Sequence, residues 1–115
     1  MHEMTKHTAI PARVKAAVAL RDCTDGRCCC VVCGSPYAVP NAHIVRRSQG
    51  GMGVEQNIVA LCPPCHRAFD EGEWMDRLHP LGFYSRQDIE DHIIAYIKGY
   101  YPNWTRESVT YKKWR

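Results

Sequence analysis

The fold is decided by Asn41-Ala42-His43-Ile44-Val45-Arg46-Arg47-Ser48-Gln49-Gly50-Gly51, followed by Asn57-Ile58-Val59-Ala60-Leu61-Cys62-Pro63-Pro64-Cys65-His66-Arg67-Ala68-Phe69-Asp70. A histidine stands in a short apolar run. A polar loop with three glycines follows, then a second apolar run, then Cys-x-x-Cys-His. Pro63 suits the first position of a helix, which carries Cys65, His66, Phe69 and Asp70 and ends near Glu71-Gly72. The order is strand, loop, strand, helix. A second pair, Cys30-Val31-Val32-Cys33, lies just upstream and leads into Gly34 and Ser35-Pro36.

Two Cys-x-x-Cys pairs supply four thiolates, the closed shell of a tetrahedral structural zinc. With all four positions taken by sulfur, such a metal folds the chain and catalyses nothing. Cys30, Cys33, Cys62 and Cys65 are the predicted ligands, one zinc per chain. Cys28, Cys29 and Cys30 are consecutive, but Cys30 alone gives the two-residue spacer to Cys33. Cys23, Cys28 and Cys29 are expected as free thiols. A disulfide scaffold is disfavoured by the odd count of 7 cysteines and by the paired spacing.

Outward from this core, the chain of 115 residues is read as one domain. Residues 1–10 read as an arm, polar and without an apolar signal core, and Pro11 to Arg21 as a helix with Val14 and Val18 inward. Arg13, Lys15 and Arg21 are assigned to its solvated face. Residues 27–71 form the zinc-clipped core. Residues 73–84 read as irregular. Ser85, with Asp88 three residues on, caps a helix whose Ile89, Ile93, Ile97 and Tyr100 recur on one side. His92 on that helix reads as an ordinary side chain. A basic aromatic tail closes the chain. The expected class is α+β, a ββα core with N- and C-terminal flanking helices. The formal charge of +3 is compatible with nucleic acid without requiring it. The aliphatic run Ala16-Ala17-Val18-Ala19-Leu20 is too short to span a bilayer, and a cytoplasmic protein is the simplest expectation.

Strand alternation would put His43, Val45 and Arg47 on one face. A neutral imidazole beside a guanidinium suits hydrolysis of a phosphodiester: one accepts a proton from water, the other offsets phosphate charge. His66 and Asp70, four apart, share a helix face and are both ligands for a divalent cation.

The joint pattern resembles the HNH endonuclease family, with its ββα-metal nuclease fold. The resemblance rests on Ala42-His43-Ile44, the Ser48-Gln49-Gly50-Gly51 loop, Asn57 to Leu61, and Cys62-x-x-Cys65-His66, and it covers roughly residues 27–71. It implies His43 as general base, Asn57 as the residue that ties down the loop and so orients His43, and His66 as a ligand of a catalytic Mg²⁺, Mn²⁺ or similar cation. Asp70 falls where some members have a further ligand. The implied substrate is DNA, cut to 3′-hydroxyl and 5′-phosphate ends, with phage genome-packaging proteins or restriction as implied settings. Arg46, Arg47, Lys112 and Lys113 are the expected nucleic-acid contacts, and Trp104 and Trp114 are weighed equally as DNA contacts or packing residues. The chain departs from the pattern at Ala42, where many members place an acidic or histidine ligand, and at Arg46, where proline is frequent. A non-catalytic zinc module that binds DNA or a packaging partner is the alternative these departures leave open.

Overall fold

The computed structural model describes residues 3–112. In chain order, the first elements are α1 (Glu3–Thr8), α2 (Ala12–Asp22), β1 (Cys23–Thr24) and β2 (Arg27–Cys28). After them come β3 (Val39–His43), β4 (Ile58–Leu61), α3 (Pro63–Glu71) and α4 (Arg86–Tyr100). The architecture is α+β: two small antiparallel sheets, β1–β2 and β3–β4, set among helices.

The β3–β4 hairpin is the frame. Ala42 opposes Val59 and His43 opposes Ile58, with a register shift between Val39 and Ala42. All four residues of β4 are buried, because helices cover both of its faces. Ile58 meets Val14 and Val18 of α2 on one side. Val59 and Leu61 meet the main core on the other, with Phe69 of α3 and Ile89, Ile93 and Ile97 of α4. α3 starts after Cys62, with prolines in its first turn, and stops at Gly72, whose φ of 75° is the left-handed stop that glycine takes freely. α4 carries the full capping box: the Ser85 hydroxyl accepts the Asp88 amide, and the Asp88 carboxylate accepts the Ser85 amide.

Several expectations are corrected. Within the expected arm, Glu3–Thr8 is a helix, and its end is tied to the glycine loop by the Gly53 amide donating to the His7 carbonyl. Pro11 precedes α2 as its N-cap. Arg21 is not solvated: its side chain is 5% exposed and pairs with a fully buried Asp22. Residues Met75–Leu81 form a 3₁₀ turn. Tyr100 is 52% exposed, so the packing face of α4 ends at Ile97. Cys23 and Cys28 are joined in a disulfide across the β1–β2 pair, leaving Cys29 as the free thiol of that stretch. The Asp25-Gly26 turn that places them has positive φ at both residues, the geometry that matches hairpin twist.

The glycine loop is built by close approach. A Cβ at Gly51 would lie 1.7 Å from the Val45 carbonyl oxygen, and one at Gly53 1.9 Å from that of Ala9. The loop is held on its far side by the Tyr111 amide donating to the Gly50 carbonyl and the Met52 amide to that of Val109. His7 and Tyr111 stack at 4.1 Å, closing N- and C-terminal segments over the loop. No helix among the described residues is long and apolar enough to cross a membrane.

Candidate active site and metal centre

The four cysteines expected to bind metal converge. Their sulfurs all lie within 4.8 Å of one another, and three of the four residues are buried. The Cys33–Cys62 separation is 3.6 Å. A tetrahedron with metal–sulfur bonds of about 2.3 Å has sulfur–sulfur edges of about 3.8 Å, so the cluster fits a metal ion. A hydrogen bond from Cys65 pulls the Cys30 thiol down to about 4, while the Cys65 thiol is pushed up by the same bond and by burial. Arg77 donates to the Cys65 sulfur at 3.6 Å. The knuckle is fastened to the fold by the Val31 amide donating to the Ala60 carbonyl. His92 of α4 donates to the Val31 carbonyl at 2.9 Å, so it steadies the knuckle without joining the cluster.

A second group gathers in a cleft of about 650 Å³ between α3 and the segment joining α1 to α2. His43, His66, Asp70, Arg46 and Arg47 line it together. So do Ala9, Ile10 and Lys15, which no sequence motif places there. His66 Nε2 lies 3.0 Å from Asp70 Oδ2, the contact their four-residue spacing calls for. Among the described residues, the four cysteines are the one group of three or more His, Cys, Asp or Glu close enough to hold a metal. In the cleft, His66 and Asp70 are the adjacent pair of donors open to a cation, and Ala42, wholly buried, contributes none.

His43 Nε2–H donates to the Thr8 carbonyl at 2.8 Å. A carbonyl can only accept, so the neutral ring carries its lone pair on Nδ1. Burial lowers the His43 pKa, the Thr8 bond works against that, and the Arg47 charge lowers it further. The resting group is a neutral imidazole. Nothing in the sequence marked Thr8, because a main-chain acceptor has no side-chain signature.

Asn57 is fully buried. Its Oδ1 accepts the Val45 amide at 2.8 Å, and its Nδ2 donates to the carbonyls of Val45 at 3.1 Å and Met52 at 3.0 Å. It ties Val45, just before the glycine loop, to Met52 within it, and these side-chain bonds all go to main-chain atoms. The alternation expected for His43, Val45 and Arg47 does not hold. β3 ends at His43, and Ile44 and Val45 both turn into the core. Arg47 reaches the cleft from the 3₁₀ turn that follows.

Residues 30–75 match the family described as HNH endonuclease. The chain belongs to the HNH endonuclease family. Anaredoxin of Nostoc sp. is a relative, 35% identical over 51 residues, which cover 44% of this chain and 67% of that protein. No solved structure matches the chain. Membership implies a nucleic-acid substrate and suggests nuclease activity.

Of the expected nucleic-acid contacts, Arg46 spends one nitrogen on the Asp70 carbonyl at 2.6 Å, and Arg47 contacts Thr8 Oγ1 at 3.4 Å. Lys112 is exposed. Lys113, Trp114 and Arg115 lie outside the described residues. Trp104 is buried and donates to the Gln56 carbonyl at 2.7 Å, so it is a packing residue and not a DNA contact.

Proposed function

We propose that this HNH-family protein is a divalent-metal-dependent DNA endonuclease, with a structural zinc at Cys30, Cys33, Cys62 and Cys65. The observation that supports it is the convergence of a neutral, half-buried His43 with His66, Asp70 and two arginines on one cleft. His43 Nδ1 takes the proton from the attacking water, while the Thr8 carbonyl fixes the ring and favours the imidazolium that forms. His66 and Asp70 are the residues that would hold Mg²⁺ or Mn²⁺. The donor set fits, because Mg²⁺ keeps several waters and takes few protein ligands. When bound, that ion supplies charge stabilisation at the scissile phosphate and leaving oxygen. Arg47 faces the phosphate charge, and Asn57 keeps the loop that carries Arg46 and Arg47 in place.

The test is cleavage of supercoiled plasmid with added Mg²⁺ or Mn²⁺. Wild type should convert it to nicked or linear forms, and His43→Ala should do so about two to four orders of magnitude more slowly. A second reading, a zinc module that binds DNA without cutting it, is favoured by one feature: among the described residues, no third His, Cys, Asp or Glu lies close enough to His66 and Asp70 to complete a three-residue metal group. Tight duplex binding with no cutting in any divalent metal would select it.

A further inference from the structure

Next to the cleft lies a second cavity, of about 330 Å³, in whose lining Arg46 alone is among the expected nucleic-acid contacts. Arg46, Arg86, Arg106, Glu90 and Gln49 line it, over Ile44 and Phe69. Arg46 lines both cavities, so the two are neighbours on either side of that residue.

We propose that this arginine pocket holds a backbone phosphate of the same nucleic acid whose scissile phosphate occupies the cleft. The inference rests on the endonuclease reading for the second half of that statement alone.

Three guanidinium groups face one carboxylate, which leaves two positive charges over. Two of the arginines are also held in place. Arg46 donates to the carbonyl of Asp70 and Arg86 Nε to that of Phe69 at 2.8 Å, consecutive carbonyls in the last turn of α3. Capping a helix C-terminus asks for roughly half a unit of positive charge, so two arginines there exceed what the helix needs. Each of these bonds uses one nitrogen of a planar fork that can donate to phosphate through others. The third, Arg106, pairs with Glu90 Oε1 at 2.7 Å, and Gln87 donates to Glu90 Oε2 at 3.2 Å. The Arg106 side chain is 49% exposed, so a phosphate can reach it, and Glu90 is the group with which that phosphate competes. The location supports a strand over a lone anion, because Asp70 puts its side chain into the cleft and its carbonyl under Arg46.

Glu90 gives the test opposite signs. Binding of a fluorescent duplex, read by anisotropy over a salt series without added Mg²⁺, should weaken for Arg106→Gln. The slope of log affinity against log salt should fall by about 1, the share of one phosphate contact. Glu90→Gln should tighten binding and steepen the slope. Melting temperature and zinc content show that each variant is folded, and loss of Arg106→Gln to misfolding leaves Glu90→Gln decisive. Both variants binding as wild type does, or a wild type that binds no duplex, overturns the pocket. So does binding of inorganic phosphate, seen in the Arg106 side-chain NMR signals, with duplex affinity unmoved by either variant. A wild type that binds through these arginines yet cuts nothing leaves the pocket standing and removes the endonuclease reading.

Discussion

The Asp22 carboxylate accepts the backbone amide of Ala60 at 3.0 Å, which ties the end of α2 to the middle of β4. The same carboxylate pairs with Arg21 at 2.7 Å and accepts the Tyr96 hydroxyl at 2.5 Å. Arg21 in turn donates to the carbonyls of Glu55 and Ile58. Burial works against the Arg21 charge, but hydrogen bonds to Asp22 and Tyr101 hold its pKa above the usual value. The first prediction is that Asp22→Ala removes about 3–5 kcal/mol of stability, since it strands a buried guanidinium. Replacing Arg21 and Asp22 together by Met and Leu should cost less than Asp22→Ala alone. Urea midpoints decide it; a loss below about 0.5 kcal/mol for Asp22→Ala sinks the account.

Asn57 gives the second prediction. Asn57→Ala leaves the Val45 amide and the carbonyls of Val45 and Met52 without the partners they have inside the fold. A loss of about 2–4 kcal/mol follows from that many orphaned groups. Asn57→Asp keeps the acceptor for Val45 but loses both donors, so it should lie on the same side of wild type. Thermal melts of the two variants, with zinc content as control, test this. A wild-type melting temperature for Asn57→Ala is the result that refutes it.

The frame was legible because its signals are local. A Cys-x-x-Cys spacing, a proline at a helix start and a serine three residues before an aspartate each carry their own geometry. Arg21 was misread because nothing adjacent announces burial: Glu55, Ile58 and Tyr101 reach it from 34, 37 and 80 residues away. Thr8 was missed for a different reason, since its contribution is a main-chain oxygen. The reading of Val45 failed because period-two alternation applies only while the strand lasts, and β3 stops at His43. His43, His66 and Asp70 carry roles implied by the family resemblance, and they line one cleft because the hairpin and α3 are adjacent in sequence. No motif marks Arg86 and Arg106, which arrive from α4 and the turn beyond it.

The third prediction concerns the cysteine cluster. Cys65→Ser should abolish one-to-one zinc binding and cost several kcal/mol, because metal affinity is folding free energy in such a site. Cys29→Ser, at an exposed thiol outside the cluster, should leave zinc content unchanged. Native mass spectrometry reads both. Zinc retained by Cys65→Ser, or lost by Cys29→Ser, places the metal elsewhere.

His43 carries the last prediction, in which pH distinguishes a base from a bystander. Its pKa lies below the ordinary 6.5, first because the ring is buried and second, against the pull of the Thr8 carbonyl, because Arg47 is near. A histidine with a depressed folded value binds its proton more readily when unfolded. Its stabilising contribution is therefore complete above about pH 6.5 and is lost as pH falls through the lower folded value. The same depression keeps the base unprotonated at neutral pH. The acid limb of the cleavage rate should fall below pH 6.5, with a slope of one. His43→Ala should lower turnover by about two to four orders of magnitude and erase that limb. It should also flatten the acid side of the stability curve, which a group with no catalytic part would do as well, so the rate profile is the deciding measurement. Cutting by His43→Ala at the wild-type rate, with the limb intact, would take the base away from His43.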